Sequence, residues 1–176
     1  MKEYHDREWG SPSHEDRTHF EFLILEAAQA GLSWLTVLKK REGYRKLFAG
    51  FDCRKVSKFG KAHVEKFMKD PSIIRNRLKI ESAIENSRRF MDVQKEFGSF
   101  DAYLWSFTEG KPVRNRVRHY KELPPRTDLS DRISKDLKKR GFRFVGSTVI
   151  YSHLQAVGLV DDHEDGCFRK GKARRT

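Results

Sequence analysis

The chain has 176 residues, a net charge of +12 and 35% charged residues, with a pI near 9.8. That length suits a single domain able to enclose a cavity, while two cysteines, Cys53 and Cys167, rule out a disulfide framework. No hydrophobic leader opens the sequence and no apolar run is long enough to span a membrane, so a cytoplasmic protein is expected, its basic balance suiting a polyanion, nucleic acid first.

Helical periodicity dominates the chain in order. Apolar positions three and four apart predict helices over residues 15–30 and 34–48, with Ser33 as cap of the second and Gly50 past its end. Asp52 caps a short helix through Ser57, and residues 61–68 form another. Asp70-Pro71 has the form of a helix opening, with the long helix running toward Phe97 and ending at Gly98. Residues 100–107 form a short aromatic helix, and the proline-rich, basic stretch 109–127 reads as a loop. Asp128 or Ser130 starts a helix through Arg140, and Ser147 caps one through Val157 with Gly158 behind it. Strand alternation is lacking throughout, so the fold class is all-α, one domain over residues 1–168 with a disordered basic tail over 169–176.

Glu26 stands out within Phe22-Leu23-Ile24-Leu25-Glu26-Ala27-Ala28-Gln29, a run that otherwise reads as buried helix. An acid there needs a partner, a raised pKa or a cationic ligand. The helix breaks at Gly31, and Trp34 follows closely, so anion and aromatic face together suggest a pocket for a flat cation.

Residues 137–148 join two helices through a turn bounded by Gly141 and Gly146, the pattern of a helix-hairpin-helix element. Close backbone approach and the free amides at the start of the Ser147 helix suit a phosphate oxygen. Lys138, Lys139, Arg140 and Arg143 add attraction without sequence preference. The alternative is a plain turn between core helices, with Phe142 and Phe144 packed inward.

His163 and Cys167 are four apart, a zinc-ligand spacing, with His5 a third ligand if the chain ends meet; the alternative is an unbound histidine near a small buried cysteine. Asp161 and Asp162 read as turn residues supporting His163. Cys53 reads as a half-buried or surface thiol, and His63, His119 and His153 as surface or core residues.

The runs Tyr4-His5-Asp6-x-Glu8-Trp9-Gly10, Leu25-Glu26-x-x-Gln29-Ala30-Gly31-Leu32-Ser33-Trp34, Ile73-Ile74-Arg75-Asn76-x-x-Lys79-Ile80, residues 137–146 and Asp162-His163-x3-Cys167, in this order, resemble the DNA-3-methyladenine glycosylase I family over almost the whole chain. The resemblance implies an all-α helix-hairpin-helix glycosylase that flips 3-methyladenine out of double-stranded DNA and excises it. It implies that Glu26 and Tyr4 read the base by hydrogen bonds and Trp34 stacks on it, with Trp9 nearby and Glu26 as the catalytic candidate. Gln29, Gly31 and Leu32 on the turn, Leu32 as wedge, and Lys139, Gly141, Arg143, Gly146 and Ser147 in the hairpin are the expected DNA contacts of a monomer. Structural zinc is implied through two histidines and two cysteines, of which His5, His163 and Cys167 match three. The family's remaining cysteine lies N-terminal to the stretch matching Tyr4, where this sequence reads Met1-Lys2-Glu3.

Overall fold

The computed structural model describes residues 1–172. The described residues form nine helices: α1 (Lys2–Arg7), α2 (Asp16–Gln29), α3 (Trp34–Leu47), α4 (Cys53–Val56), α5 (Lys61–Lys69), α6 (Arg77–Phe97), α7 (Phe100–Ser106), α8 (Asp128–Lys139) and α9 (Ser147–Ala156). α2 is buried without interruption from Thr18 to Ala28, since α3, α6, α7 and α9 pack around it. Such a helix has no polar face, and this is why Glu26 has nowhere to meet solvent except a cavity. Phe20, Phe22 and Leu25 are fully buried, Phe20 lying 5.2 Å from the Phe90 ring, which stacks 4.2 Å from Phe100. Each such side chain contributes roughly 1.5–3 kcal/mol of burial.

The caps explain most boundaries. Ser33 Oγ accepts from Thr36 N (3.2 Å), and Asp52 accepts from Arg54 and Lys55 N, as the sequence predicts. The long helix differs: Asp70 ends α5 and turns the chain by accepting from Ser72 N, and α6 begins only at Arg77, capped by Asn76. The intervening turn drives Ile73 into the core at 1% exposure, which a continuous helix from Pro71 would not require. At α9 the cap is Gly146 rather than Ser147, whose hydroxyl instead donates to Asp131.

The all-α expectation holds, apart from a parallel bridge pairing Val113–Arg114 with Val160–Asp161. That bridge ties the basic loop to the C-terminal segment, and the N-terminal segment joins them: Gly10 N donates to Gln155 O and Ser13 N to Val157 O. Gly158 has φ +69°, and a Cβ there would lie 2.1 Å from the Ser11 carbonyl carbon, so only glycine allows the two segments to meet. Arg169 and Lys170, expected within the disordered tail, are held by the fold. Arg169 is 1% exposed and donates to Ser11 Oγ, while Lys170 Nζ bonds the carbonyls of Asn115 and His163. Ser11 and Asn115 lie far away in sequence, which hides these contacts from composition; residues 173–176 lie outside the described residues.

Candidate active site

A cavity of about 570 Å³ opens between α1, the end of α2, the start of α3, α9 and the segment after Asp161. Tyr4, Trp9, Glu26, Gln29 and Trp34 all line it, so the four expected base-binding residues converge with Gln29. The aromatic wall is continuous: Trp34 lies 5.5 Å from the Tyr4 ring and 6.5 Å from the Phe22 ring. Trp34 Nε1 is buried without an acceptor among the described residues. Glu26 is 4% exposed, with no hydrogen bond or ion pair among the described residues, and burial alone pushes its pKa up to about 8. The Tyr4 hydroxyl is held well above its ordinary value, by burial first and then by the charges of Glu26 and Glu8. The cavity thus offers an aromatic face, two unmatched polar groups and a carboxyl lacking its counter-charge.

Arg41, not singled out in the sequence, positions this wall. Its Nε donates to Glu21 (2.7 Å), its Nη1 to Glu8 (2.9 Å), and its guanidinium sits over the Phe22 ring at 5.3 Å. Glu8 follows α1, so this pairing fastens Tyr4 against α2 and α3. Lys79 is a second unforeseen element. Its ammonium donates to Ala28 O (2.8 Å) and Ala30 O (2.6 Å), satisfying carbonyls that α2 leaves open where it ends. The turn that follows carries Gly31 at φ +79° and projects Leu32 into solvent at 42% exposure. A groove beside the cavity runs from Gln29, Gly31 and Leu32 to Thr148 on α9, so turn and hairpin helix share one face.

Asn86 braces the hairpin from α6, donating to Arg143 O (2.9 Å) and accepting from Arg143 N (2.8 Å). Ser134 Oγ donates to Val145 O. Phe142 is buried and Phe144 partly so, as a packed turn requires, yet Lys138, Lys139 and Arg143 remain exposed. Gly141 adopts φ +88°, whereas Gly146 has φ −62° and serves as a cap with no side chain to satisfy the amides ahead of it. Arg140 departs from the expected role. It pairs with Asp136 (2.6 Å) and Glu96 (2.7 Å) over the rings of Phe97 and Tyr103, so it holds α8 to α6 instead of facing outward.

The chain ends meet at one side of the cavity. Ligand atoms of His5, His163 and Cys167 lie within 4.8 Å of one another, with Cys167 Sγ 3.6 Å from His5 Nε2. His5 Nδ1 bonds Asp6 (2.8 Å) and His163 Nδ1 bonds Asp161 (2.7 Å), leaving both Nε2 atoms turned to the cluster; His163 Nε2 is buried without a partner among the described residues. Carboxylates that orient imidazoles in this way suit a metal. A Cβ at Gly10 would strike His163 Cε1 at 2.3 Å. Among the described residues no fourth His, Cys, Asp or Glu joins the group. Asp161 supports His163 as expected, whereas Asp162 is saturated by Asn115, Tyr151 and Gln155. His14 and His19 lie elsewhere, both on Asp101, and Cys53 is half-buried against Gln94.

The pattern of cavity, turn and hairpin coincides with a match of residues 1–170 to the methyladenine glycosylase family model. The chain belongs to this family. It is 42% identical to the DNA-3-methyladenine glycosylase of Haemophilus influenzae over 94% of this chain and 89% of that protein. It is 46% identical to DNA-3-methyladenine glycosylase 1 of Escherichia coli over 93% of this chain and 88% of that protein. A crystal structure of a 3-methyladenine DNA glycosylase I variant in complex with 3-methyladenine superposes with a TM-score of 0.93 at 36% identity, covering 97% of this chain and 92% of that one. The family's helix-hairpin-helix glycosylase architecture is therefore that of this chain.

Proposed function

We propose that this methyladenine glycosylase excises 3-methyladenine from double-stranded DNA, with Glu26 as the reader of the cationic base. The unpartnered, buried Glu26 carboxyl on an aromatic-walled cavity carries the reading. A purine methylated at N3 is positively charged, so its glycosidic bond breaks heterolytically with little protonation: the departing base takes the bonding pair and becomes neutral. Water then captures the electron-deficient C1′ and gives up a proton. Selection is the harder task, and a carboxylate in a poorly screened cavity beside Trp34 favours the cationic adduct over neutral adenine. Tyr4 and Glu26 supply hydrogen bonds to the base, Trp34 the stacking face, and Trp9 backs the cavity beside His5 and His163.

Rotating the base out of the duplex costs roughly a few kcal/mol. Leu32, projecting from its Lys79-braced turn, suits a wedge into the vacated stack, with Gln29 and Gly31 beside it. Lys139, Arg143 and the amides around Gly146 and Ser147, with Gly141 giving close approach, suit the phosphates. Replacing Lys139 and Arg143 together with alanine is expected to lower the slope of log binding constant against log salt by about 1 to 2. A slope equal to that of the wild type, measured by fluorescence anisotropy, counts against the hairpin as DNA contact. Release of free 3-methyladenine from methylated duplex by the purified chain tests the activity, and intact base with normal DNA binding would favour a binding module instead.

His5, His163 and Cys167 fit a structural zinc ion, on the strength of their proximity and the imidazoles oriented by Asp6 and Asp161. Zinc there would tie the two ends of the chain together next to Tyr4. Elemental analysis is expected to find about one zinc per chain, and chelation to lower the melting temperature. A metal-free protein whose melting temperature ignores chelator would refute the clip. No helix among the described residues is long and apolar enough to cross a membrane, and we place the enzyme in the cytoplasm as a monomer on DNA.

A further inference from the structure

Tyr120 is 62% exposed, the most exposed large hydrophobic side chain among the described residues, and yet it lines the cavity that holds Glu26 and Trp34. Its backbone is fixed. Tyr120 N donates to Glu164 Oε1 (2.8 Å), and Lys121 N donates to His119 Nδ1 (3.1 Å), closing a single turn at Tyr120–Glu122. Three residues earlier, Val117 and Asp165 exchange bonds: Val117 N donates to Asp165 Oδ1, and Asp165 N donates to Val117 O. A loop anchored at both points presents an aromatic ring to solvent at the rim of a cavity, with the His119 ring against it at 4.8 Å. Leu123 lines the same rim, while Arg118 and Lys121 flank the ring, exposed and without ion pairs among the described residues.

Trp34, Tyr4 and Glu26 already account for one face and one edge of a purine in the cavity. The sugar of the flipped nucleotide must remain at the mouth, because its phosphates continue into the duplex. We propose that Tyr120 is the mouth-side contact of the flipped nucleotide, packing its ring on the deoxyribose while Arg118 and Lys121 meet the adjoining phosphates. The ring keeps bulk water from the mouth and holds the extrahelical state, and the loop becomes a second DNA-contacting element besides the hairpin. The inference rests on the glycosylase reading above.

Single-turnover release of 3-methyladenine from methylated duplex tests it, alongside titration of free 3-methyladenine. Tyr120→Ala is expected to lower the excision rate about tenfold, to leave affinity for the free base within twofold of wild type, and to melt at the wild-type temperature. Tyr120→Phe, which keeps the ring, is expected to recover most of the lost rate. Wild-type protein that releases no base refutes the glycosylase reading and this inference with it. Wild-type excision matched by an equally fast Tyr120→Ala refutes this inference alone, as does a loss of free-base affinity as large as the loss of rate.

Discussion

Replacing Glu26 with glutamine is expected to stabilise the protein, by an amount that grows with pH. Burial raises the Glu26 pKa from 4.5 to about 8, so between those values the folded chain binds a proton that the unfolded chain has released. Stability of the wild type therefore falls as pH rises across that window, and levels off above it. Glutamine removes the titration. The variant should match the wild type near pH 4.5 and exceed it by on the order of a few kcal/mol above pH 8, read from urea denaturation at several pH values. A difference that stays constant with pH would contradict a buried, titrating carboxyl. The same proton governs binding. A cationic base pairs with the ionised form, so kcat/KM of the wild type should climb as pH rises toward about 8 and then flatten, while Glu26→Gln stays low and flat. The energy stored in that unpaired group is what a matching ligand recovers.

Arg41→Met is expected to destabilise the fold by about 3–5 kcal/mol, because it removes the largely buried cation shared by Glu21 and the partly exposed Glu8. Glu21 retains Arg45 at 3.1 Å, whereas Glu8, its side chain 24% exposed, loses the Arg41 guanidinium. Equilibrium denaturation at pH 7 should show the loss. Affinity for 3-methyladenine should fall as well, since Glu8 and Arg41 seat Tyr4 against Trp34. A cost below about 1 kcal/mol at pH 7 would place the network among ordinary surface pairs.

Glu26 was legible because an acid inside an apolar helical run has few explanations, and the cavity beside α2 supplies the one expected. His5, His163 and Cys167 were legible through spacing and family resemblance, although only the Gly10 and Gly158 contacts reveal how the chain ends are brought together. Arg41 was not legible: its partners lie 20 and 33 positions away, and a basic residue on a helix looks the same whether solvated or paired. Arg140 shows the converse, a cation that the hairpin pattern assigns to DNA and that Glu96, 44 positions distant, draws inward. Lys79 and Tyr120 escaped for a related reason, since capping another helix or standing at a cavity rim is a property of packing and not of local pattern.

Selection by the Glu26 carboxylate is tested most directly by single-turnover release of 3-methyladenine from methylated duplex at pH 8, wild type beside Glu26→Gln. A rate lower by on the order of 100-fold in the variant, with duplex affinity retained, is the predicted result. Equal rates in the two proteins would contradict it.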